Sequence, residues 1–366
     1  MIYGVDRDVI ESINLLETKI SNRTDCLRYD YRGLEVLYYP DSKKLSISGS
    51  IHKYWNKING NGWQNHNDFS YMNAYNALKS LSKAFSTPLD KMNVKSAEYG
   101  LNINTIKSPM EIITSNIKYY RKPLKKDTVE YFNIGHDGCL HSFEMSNHTI
   151  KFYDKGRQCK RPVNILRYEI RERGSTRLKL GNSTDLFRLE TIERLKKELL
   201  EKFNNCLIAD NIDWNRIDNK IDHDKLKDYI NPVYWKTLRE KARETNQRTQ
   251  FRRKWNDANK ILAKYDLLKI RDELRSKIES KFDGLASELP DINNVRNTKS
   301  VTNLQNCEAD EQNTKTEKVL RIHYSKVLKR NISLISIIAI FGIKKIFSVF
   351  RRILLRNIEK LFRKVN

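Results

Sequence analysis

Polar and apolar residues alternate with a period of two in several segments between residues 27 and 173. The clearest of these are LEVLYYP (34–40), KLSISGSIHKYW (44–55), AEYGLNIN (97–104), HTIKFYDK (148–155) and ILRYEIRER (165–173). Alternation of this kind places successive side chains on opposite faces of a strand, so that one face can be buried. The pattern therefore predicts a mostly antiparallel sheet.

Apolar residues recur at intervals of three and four in two segments that lie between these strands, at 70–85 and at 108–120. The second segment begins with a helix-start signature, because Ser108 can cap, Pro109 falls in the first turn and Glu111 follows Ser108 by three residues. Strands and helices in this order predict an α+β domain, in which an antiparallel sheet carries helices on one face.

The pattern becomes helical and basic after residue 180. Residues 183–207 have the periodicity of an amphipathic helix that opens at Ser183 or Asp185, and residues 222–282 continue in the same style. Between residues 236 and 281 there are fifteen basic and seven acidic residues. We interpret this region as a basic helical domain able to lie on phosphates. The alternative is a helical bundle whose lysine-rich faces serve only solubility.

The last part of the chain differs again in composition. Residues 284–317 contain no aromatic residue and are rich in Asn, Thr, Asp and Glu, which predicts a flexible linker. Residues 318–366 contain thirteen basic residues and one acidic residue. The division that follows is an α+β domain at 1–182, a basic helical region at 183–283, a linker at 284–317 and a basic tail at 318–366.

The tail combines an apolar stretch with an amphipathic one. The apolar stretch, 331–343, is too short to cross a bilayer, which takes roughly 18 residues. Beyond it, apolar residues recur at helical spacing and basic residues occupy the other side, as in helices that bind anionic membrane surfaces. We therefore expect residues 331–366 to contact a membrane. Docking of this helix on the protein itself, or self-association, is the alternative.

The overall charge and the cysteines narrow the class of protein. The 366 residues carry a net charge of +24 at neutral pH, which implies a polyanionic partner, either nucleic acid or an anionic membrane. The five cysteines are scattered singly, so the sequence indicates neither a disulfide framework nor a cysteine-built zinc site. The N-terminus lacks the apolar core of a signal peptide. We expect the compartment to be a reducing cytosol.

The segment HTIKFYDK places a tyrosine among lysines. On a strand, Lys151, Tyr153 and Lys155 share one face. A tyrosine in this setting is suited to attack on a phosphate, because the cations can lower the cost of ionising a phenol whose ordinary pKa is about 10, and can hold the phosphate. The alternative is an ordinary tyrosine on an exposed sheet face.

Two other segments carry candidate metal ligands. The strand AEYGLNIN presents Glu98 and Asn102 on one face with the small Gly100 between them, and the segment before it offers His66 and Asp68. Oxygen ligands with one imidazole suit Mg²⁺ or Mn²⁺ better than zinc. Such an ion would polarise a phosphodiester as a Lewis acid. The alternatives are turn chemistry in NHND and a surface salt bridge at Glu98.

Five short motifs then follow one another in a specific order. They are GSIHK, NHNDF, EYGLNIN, KFYDKGRQ and LRYEIRERGSTRLK, and the resemblance that they carry covers about residues 30 to 185. In this order they resemble the rolling-circle replication initiators of filamentous phages and related plasmids, the phage replication II/X family, in the form found in Bacteroidetes mobile elements. The sequence departs from related enzymes in having no second tyrosine three or four residues from Tyr153, and no clear His-hydrophobic-His pair.

The resemblance implies roles for individual residues. It makes Tyr153 the nucleophile that is left bound to a 5′ phosphate, and Lys155 the family lysine two residues further on. Arg167 and Glu169 fall on the arginine and glutamate of an RFE-like strand. Glu98 stands where phage members have a metal-binding aspartate, and His66 stands in the place of a glycine-histidine-asparagine motif.

The sequence thus predicts an enzyme of the bacterial host cytoplasm that nicks one DNA strand at an origin, with Mg²⁺ or Mn²⁺, and starts rolling-circle replication. Its expected partners are origin DNA that is single-stranded at the nick, the host replication machinery and an anionic membrane surface contacted by residues 331–366. The candidate DNA contacts are Lys53, Lys151, Arg167, Arg252, Arg253 and Lys254. The main alternative is a non-catalytic DNA-binding protein tethered to a membrane by its tail. A third class is a membrane-interaction protein whose basic core is incidental.

Overall fold

A computed structural model of the chain describes residues 1–13, 16–17, 26–122, 124, 126–132, 138–174, 179–244 and 248–290. The predicted tail, and the predicted linker from residue 291 onward, lie outside the described residues. The described residues belong to one compact unit, Met1–Asn293.

The strands of the described chain pair in three antiparallel sheets. In chain order they are β1 (Ile2–Tyr3), β2 (Leu16–Glu17), β3 (Leu27–Tyr31), β4 (Leu34–Tyr39), β5 (Lys44–Ser48), β6 (Ala97–Asn104), β7 (Ile117–Tyr120), β8 (Lys126–Phe132), β9 (Gly138–Glu144), β10 (His148–Asp154), β11 (Ile165–Glu172) and β12 (Cys206–Ile208). The first sheet has the order β1-β5-β4-β3-β2, the second β6-β11-β10-β9-β8, and the third pairs β12 with β7.

Helices connect and cover these sheets. In chain order they are α1 (Arg7–Ser12), α2 (Ile51–Ile58), α3 (Tyr71–Ala84), α4 (Pro109–Glu111), α5 (Lys155–Gln158), α6 (Leu189–Asn204), α7 (Lys220–Tyr229), α8 (Pro232–Glu244), α9 (Arg248–Lys264) and α10 (Lys269–Leu285). None in the described part of the chain is long and apolar enough to cross a membrane. Together, these sheets and helices confirm the predicted α+β class with antiparallel sheets.

Several details of the predicted elements are wrong. The strand predicted over 44–55 ends at Ser48, because Gly49 turns the backbone at φ +133 and the Ser50 side chain then caps α2. The helix predicted over 108–120 is one short turn and a π-helical turn, followed by strand β7. Ser108 makes no capping hydrogen bond. At Ile117–Tyr120 the pairing with β12 overrides the local helix propensity, because this pairing buries most of β7.

The helix predicted over 183–207 is also divided. Residues Ser183–Phe187 form a 3₁₀ turn, which is capped by Asn182 and not by Ser183 or Asp185. Asp185 instead completes the capping box by accepting from the backbone of Asn182. The α-helix itself starts at Leu189 and gives way to strand β12 at Cys206.

Each large element buries a face against a neighbour. The second sheet packs one face on α6 and α10. Phe152 and Tyr168 of the sheet contact Phe203 of α6, and Phe282 of α10 belongs to the same apolar cluster. The first sheet packs against α2 and α3. Helices α7, α8 and α9 gather around Trp235 in a third apolar cluster. The sheet face opposite α6 and α10 is left for polar side chains.

Candidate functional site

The second sheet carries a row of polar side chains on the face opposite its apolar core. Its central strands β10, β11 and β6 are paired in continuous antiparallel register, so residues opposite one another share a face. We call this set the polar face. It consists of Lys151 and Tyr153 on β10, Arg167, Glu169 and Arg171 on β11, and Glu98, Gly100 and Asn102 on β6.

Glu169 is the centre of the polar face. It is 3% exposed. Its Oε2 accepts hydrogen bonds from Tyr153 Oη at 3.1 Å and Arg167 Nε at 2.8 Å, and its Oε1 accepts one from Lys151 Nζ at 3.0 Å. Burial alone would raise the pKa of this carboxyl, but the charge of Arg167, a hydrogen bond with the Glu98 carboxyl and the charge of Lys151 together hold the pKa well below its usual range. Glu169 is therefore an ionised acceptor aimed at the phenol.

Tyr153 does not have the electrostatic setting that its flanking lysines suggest. It is 8% exposed, and burial raises the pKa of its phenol far above the ordinary value. Arg167 opposes this shift, whereas the negative charge of Glu169 adds to it. The expectation that the lysines ease ionisation is thus wrong for this structure, because burial of the phenol outweighs the nearby positive charge. The Lys151 ammonium is, in addition, bound to Glu169 and Glu98. The site supplies the phenol with a hydrogen-bond acceptor, Glu169, and not with a lowered pKa.

Gly100 makes room for this arrangement. A Cβ built on Gly100 would lie 2.4 Å from the Tyr168 carbonyl oxygen and 2.7 Å from Cα of Glu169. Both distances are too short for any side chain. The small residue predicted to leave space between Glu98 and Asn102 therefore admits the backbone of β11, which carries Glu169.

Tyr153 borders an open cleft of about 570 Å³. The side chains around it include the cations Lys53, Lys155 and Arg161, the imidazole of His66 and the indole of Trp63. No carboxylate is among the described residues that line this cleft. A cleft with cationic walls and a tyrosine at its edge is suited to an anionic ligand such as a phosphodiester.

The sequence predicted Lys155 on the strand, on one face with Lys151 and Tyr153. That prediction is wrong, because Lys155 is the first residue of α5. β10 ends at Asp154, whose carboxylate caps α5 by accepting from the Arg157 amide at 2.9 Å. The next residue after Lys155 is Gly156, where a Cβ would lie 1.9 Å from the Val163 carbonyl oxygen. Burial lowers the pKa of the Lys155 amine to about 8, and its Nζ donates to Gln158 Oε1 at 2.6 Å.

The segment from Asn59 to Phe69 closes one side of the cleft and is held by asparagines. Asn102 Nδ2 donates to the carbonyl oxygens of Asn65 and Asn67 at 3.3 and 3.2 Å, while its Oδ1 accepts from Arg167 at 3.2 Å. The Asn67 side chain exchanges two hydrogen bonds with Asn56. This network ties the cleft wall to the polar face.

Two histidines lie in or beside this wall. His52 Nε2 is 2.9 Å from Asn67 Oδ1, the ring stacks on Phe69, and burial lowers its pKa to about 4. Burial also lowers the pKa of His66, with Arg161 and Lys155 acting in the same direction. His66 Nδ1 is buried and has no hydrogen-bond partner in the described part of the chain. Both imidazoles are therefore neutral near pH 7, and one of them has an unused polar atom at the cleft.

The structure disperses the residues predicted to bind a metal. Asp68 forms an exposed ion pair with Lys281 at 2.6 Å. The Asn102 oxygen is taken by Arg167. Glu98 lies beside Glu169, and the cation held by the two carboxylates is the ammonium of Lys151, at 3.4 and 3.0 Å.

As they stand, these four residues do not make one ligand set, and His66 alone of them lines the cleft. Within the described ranges no group of three or more His, Cys, Asp or Glu side chains could hold a metal ion.

The predicted DNA contacts fall in two places. Lys53 lines the cleft, and Lys151 and Arg167 belong to the polar face, where both are engaged with Glu169. The α9 residues lie apart from the cleft. Arg252 and Arg253 are exposed and Lys254 is half-buried, on a helix whose apolar side packs in the cluster around Trp235.

Sequence reasoning gave Glu169 no chemical role beyond its place in a motif, and it did not single out Trp63 or Arg161. The register that opposes Lys151 to Glu169 is a tertiary fact and leaves no signal in either segment alone. Comparison with known proteins adds nothing to these assignments, because no protein-family model, curated protein or solved structure matches the chain.

Proposed function

We propose that this chain is a rolling-circle replication initiator of the phage replication II/X type, which nicks one strand of DNA and remains joined to it through Tyr153. The observation that carries the proposal is the setting of Tyr153. The residue lines a cleft with cationic walls, and its hydroxyl lies 3.1 Å from a buried, ionised carboxylate of Glu169. A nucleophile, a proton acceptor and a phosphate-binding surface are thereby supplied together.

In the proposed reaction Tyr153 Oη attacks the phosphorus of one phosphodiester. Its proton passes to Oε2 of Glu169, and the bond between phosphorus and the 3′ oxygen breaks. The leaving oxygen becomes a 3′ hydroxyl by taking a proton, for which the Lys155 ammonium, with its pKa near 8, is suited. The phosphotyrosine conserves the phosphodiester energy, so later rejoining needs no ATP.

Arg167 and Lys151 have a double role in this proposal. While both cations hold Glu169, its carboxylate is a weak base. A phosphate that reaches Tyr153 would compete for Arg167, which lies opposite Tyr153 in the sheet, and for Lys151. Each cation drawn toward the phosphate would make Glu169 a stronger base. Substrate binding would therefore activate the acceptor at the moment when Tyr153 must lose its proton.

A divalent ion, Mg²⁺ or Mn²⁺, stays part of the proposal on the strength of the resemblance. Bound near the phosphate, it would polarise the phosphodiester as a Lewis acid. Because the predicted ligands do not form one set in this structure, none of the steps above depends on it. The finer fold assignment is proposed likewise: an antiparallel-sheet nicking domain, and a basic helical region that holds origin duplex through Arg252, Arg253 and Lys254.

Two further parts of the proposal concern partners and location. The freed 3′ hydroxyl would prime a host polymerase in the bacterial cytoplasm. The basic tail, outside the described residues, would place the enzyme at an anionic membrane surface. Flotation of the full chain with anionic liposomes tests the second part, and failure to float with both anionic and neutral lipid would remove it.

The test of nicking uses the full chain with Mn²⁺ or Mg²⁺ and a supercoiled plasmid that carries the DNA flanking its own gene. We expect open-circle product and a protein–DNA adduct that survives denaturant. Both should be lost in Tyr153→Phe and kept in Tyr168→Phe, a matched change on the opposite face of the same sheet. Nicking that persists without Tyr153 would reject the phosphotyrosine mechanism.

One observation favours a second candidate, a DNA-binding protein without catalysis. The Tyr153 hydroxyl is buried and already hydrogen-bonded, so the polar face could be a purely structural ion network. In that case the full chain binds DNA tightly but gives neither nick nor adduct, and Tyr153→Phe changes nothing. The same plasmid assay therefore separates the two candidates.

A further inference from the structure

Trp63 stands out among the tryptophans of the chain by its exposure. It is 49% exposed at the edge of the Tyr153 cleft, whereas Trp235 and Trp255 are 0% and 4% exposed in the helical cluster. An indole left open to solvent beside a cationic cleft is not required by the core of the protein. Its position calls for a ligand with an apolar face.

The Trp63 indole packs against the backbone of a neighbouring turn. Gly33, in the turn between β3 and β4, has φ +89, and a Cβ built on it would lie 2.3 Å from Cη2 of Trp63. The indole thus rests on bare backbone. The adjoining loop is fixed by Asn56, whose Nδ2 donates to the Gln64 carbonyl oxygen at 2.8 Å. This indole is pre-positioned and would lose little freedom on binding.

Two cations accompany the ring. The Nζ atoms of Lys53 and Lys57, both on α2, lie 5.2 and 5.7 Å from the Trp63 ring centroid. Lys53 also lines the cleft. Proteins bind single-stranded nucleic acid by stacking bases on aromatic side chains while nearby cations contact the phosphates. A duplex has no free base to stack on Trp63, because its bases are stacked on one another.

We propose that Trp63 is a stacking platform for one unpaired base of single-stranded DNA, next to the phosphate presented to Tyr153, and that Lys53 and Lys57 hold the adjoining backbone. The inference rests on the proposed function, since it assigns Trp63 a role in binding the single strand that the same cleft would hold. It makes Trp63 a positioning residue, which fixes the strand without touching the reacting atoms.

The experiment measures binding without chemistry, in full-length Tyr153→Phe protein. The probes are a fluorescein-labelled single strand taken from the flanking DNA and the duplex of the same sequence, read by anisotropy. We expect added Trp63→Ala to weaken single-strand binding about fivefold to 150-fold, the range found for one stacked base, and to leave duplex binding unchanged. Trp63→Phe should restore most of the affinity.

Two controls make the result specific. Trp214→Ala removes a partly buried tryptophan that also has a lysine near its ring, Lys227 at 6.0 Å, but does not line the cleft, and it should bind like the parent. The salt dependence separates stacking from charge. Trp63→Ala should keep the slope of log Kd against log salt, whereas Lys53→Ala should reduce it by about 1 because one phosphate contact is lost.

The proposal is overturned if Trp63→Ala binds the single strand within twofold of the parent, or if Trp214→Ala weakens it equally. Loss of duplex binding to the same extent also overturns it. None of these outcomes bears on nicking, which is tested by the Tyr153 adduct in the otherwise native chain. The failure of one proposal can therefore be told from the failure of the other.

Discussion

The two faces of the same three strands in the second sheet differ in what holds them together. On one face Phe152 and Tyr168 stack with ring centroids 4.9 Å apart, and α6 and α10 cover them. On the other, the residues that flank Phe152 and Tyr168 in sequence, Tyr153, Arg167 and Glu169, form a chain of hydrogen bonds and ion pairs. The first face gives the sheet its stability. The second, in our account, uses that rigid support for chemistry.

The comparison is tested most strongly on the apolar face, at Phe152. Phe152→Ala should lower the free energy of unfolding by ~3–5 kcal/mol, because a fully buried ring is lost and a cavity remains. Urea denaturation followed by circular dichroism measures this. A loss below about 1 kcal/mol would show that this face is not the stabilising one.

The next largest effect is expected at Gly100, where β6 packs closely against the backbone of β11. Gly100→Ala should cost ~1–3 kcal/mol of stability and abolish nicking, because the added Cβ meets backbone of β11 and displaces Glu169. The matched control is Gly284→Ala in α10, where a Cβ meets nothing within 4 Å. That change should stabilise the protein by ~0.5–1 kcal/mol and keep nicking. Equal behaviour of the two variants would contradict the account of Gly100.

Replacement of Lys155 is expected to stabilise the protein while it removes a residue proposed to act in nicking. Burial lowers the folded-state pKa from 10.5 to about 8, so the charged amine destabilises the folded protein. The cost is full below pH 8 and disappears as the pH rises from 8 to 10.5. Lys155→Met should therefore raise the free energy of unfolding at pH 7 by ~1–3 kcal/mol, a gain that shrinks toward pH 10.

Lys155→Met should at the same time lose nicking, and the wild-type nicking rate should fall above pH 8, where the Lys155 ammonium is no longer present. Denaturation curves at pH 7 and pH 10, paired with a pH profile of nicking, check both parts. A variant that loses stability at pH 7 would reject the account of Lys155.

The smallest effect on stability is expected at Tyr153, the proposed nucleophile. Tyr153→Phe should change the free energy of unfolding by less than about 1 kcal/mol, since Glu169 Oε2 still accepts from Arg167. Nicking should nevertheless be lost. Denaturation and the plasmid assay on one preparation measure both. A loss of several kcal/mol would indicate that the hydroxyl is structural.

The same contrast explains what the sequence could predict. Strands β6, β10 and β11 follow from alternation, because burial of one face imposes a period of two on each segment. Tyr153 and Lys155 could be singled out from the composition of one segment. The partner of Tyr153 could not, since Glu169 reaches it only through the pairing of β10 with β11, sixteen residues apart in sequence.

Other errors have the same origin. Local propensity favours a helix at 108–120, but the last four residues of this segment, Ile117–Tyr120, form a strand beside Cys206–Ile208, which lies far along the chain. The predicted metal ligands come from separate segments whose side chains the fold engages elsewhere, as Lys281 does for Asp68. Patterns within one segment are thus read more dependably than meetings between segments.

The most direct test of the central claim is the chemical identity of the protein–DNA adduct. After reaction of the full chain with the plasmid, nuclease and trypsin digestion should leave a nucleotide on the peptide Phe152–Lys155, which trypsin releases by cutting after Lys151 and Lys155. Fragmentation in the mass spectrometer should place the phosphate on Tyr153. A nucleotide on any other residue, or tight DNA binding with no adduct, would contradict the account.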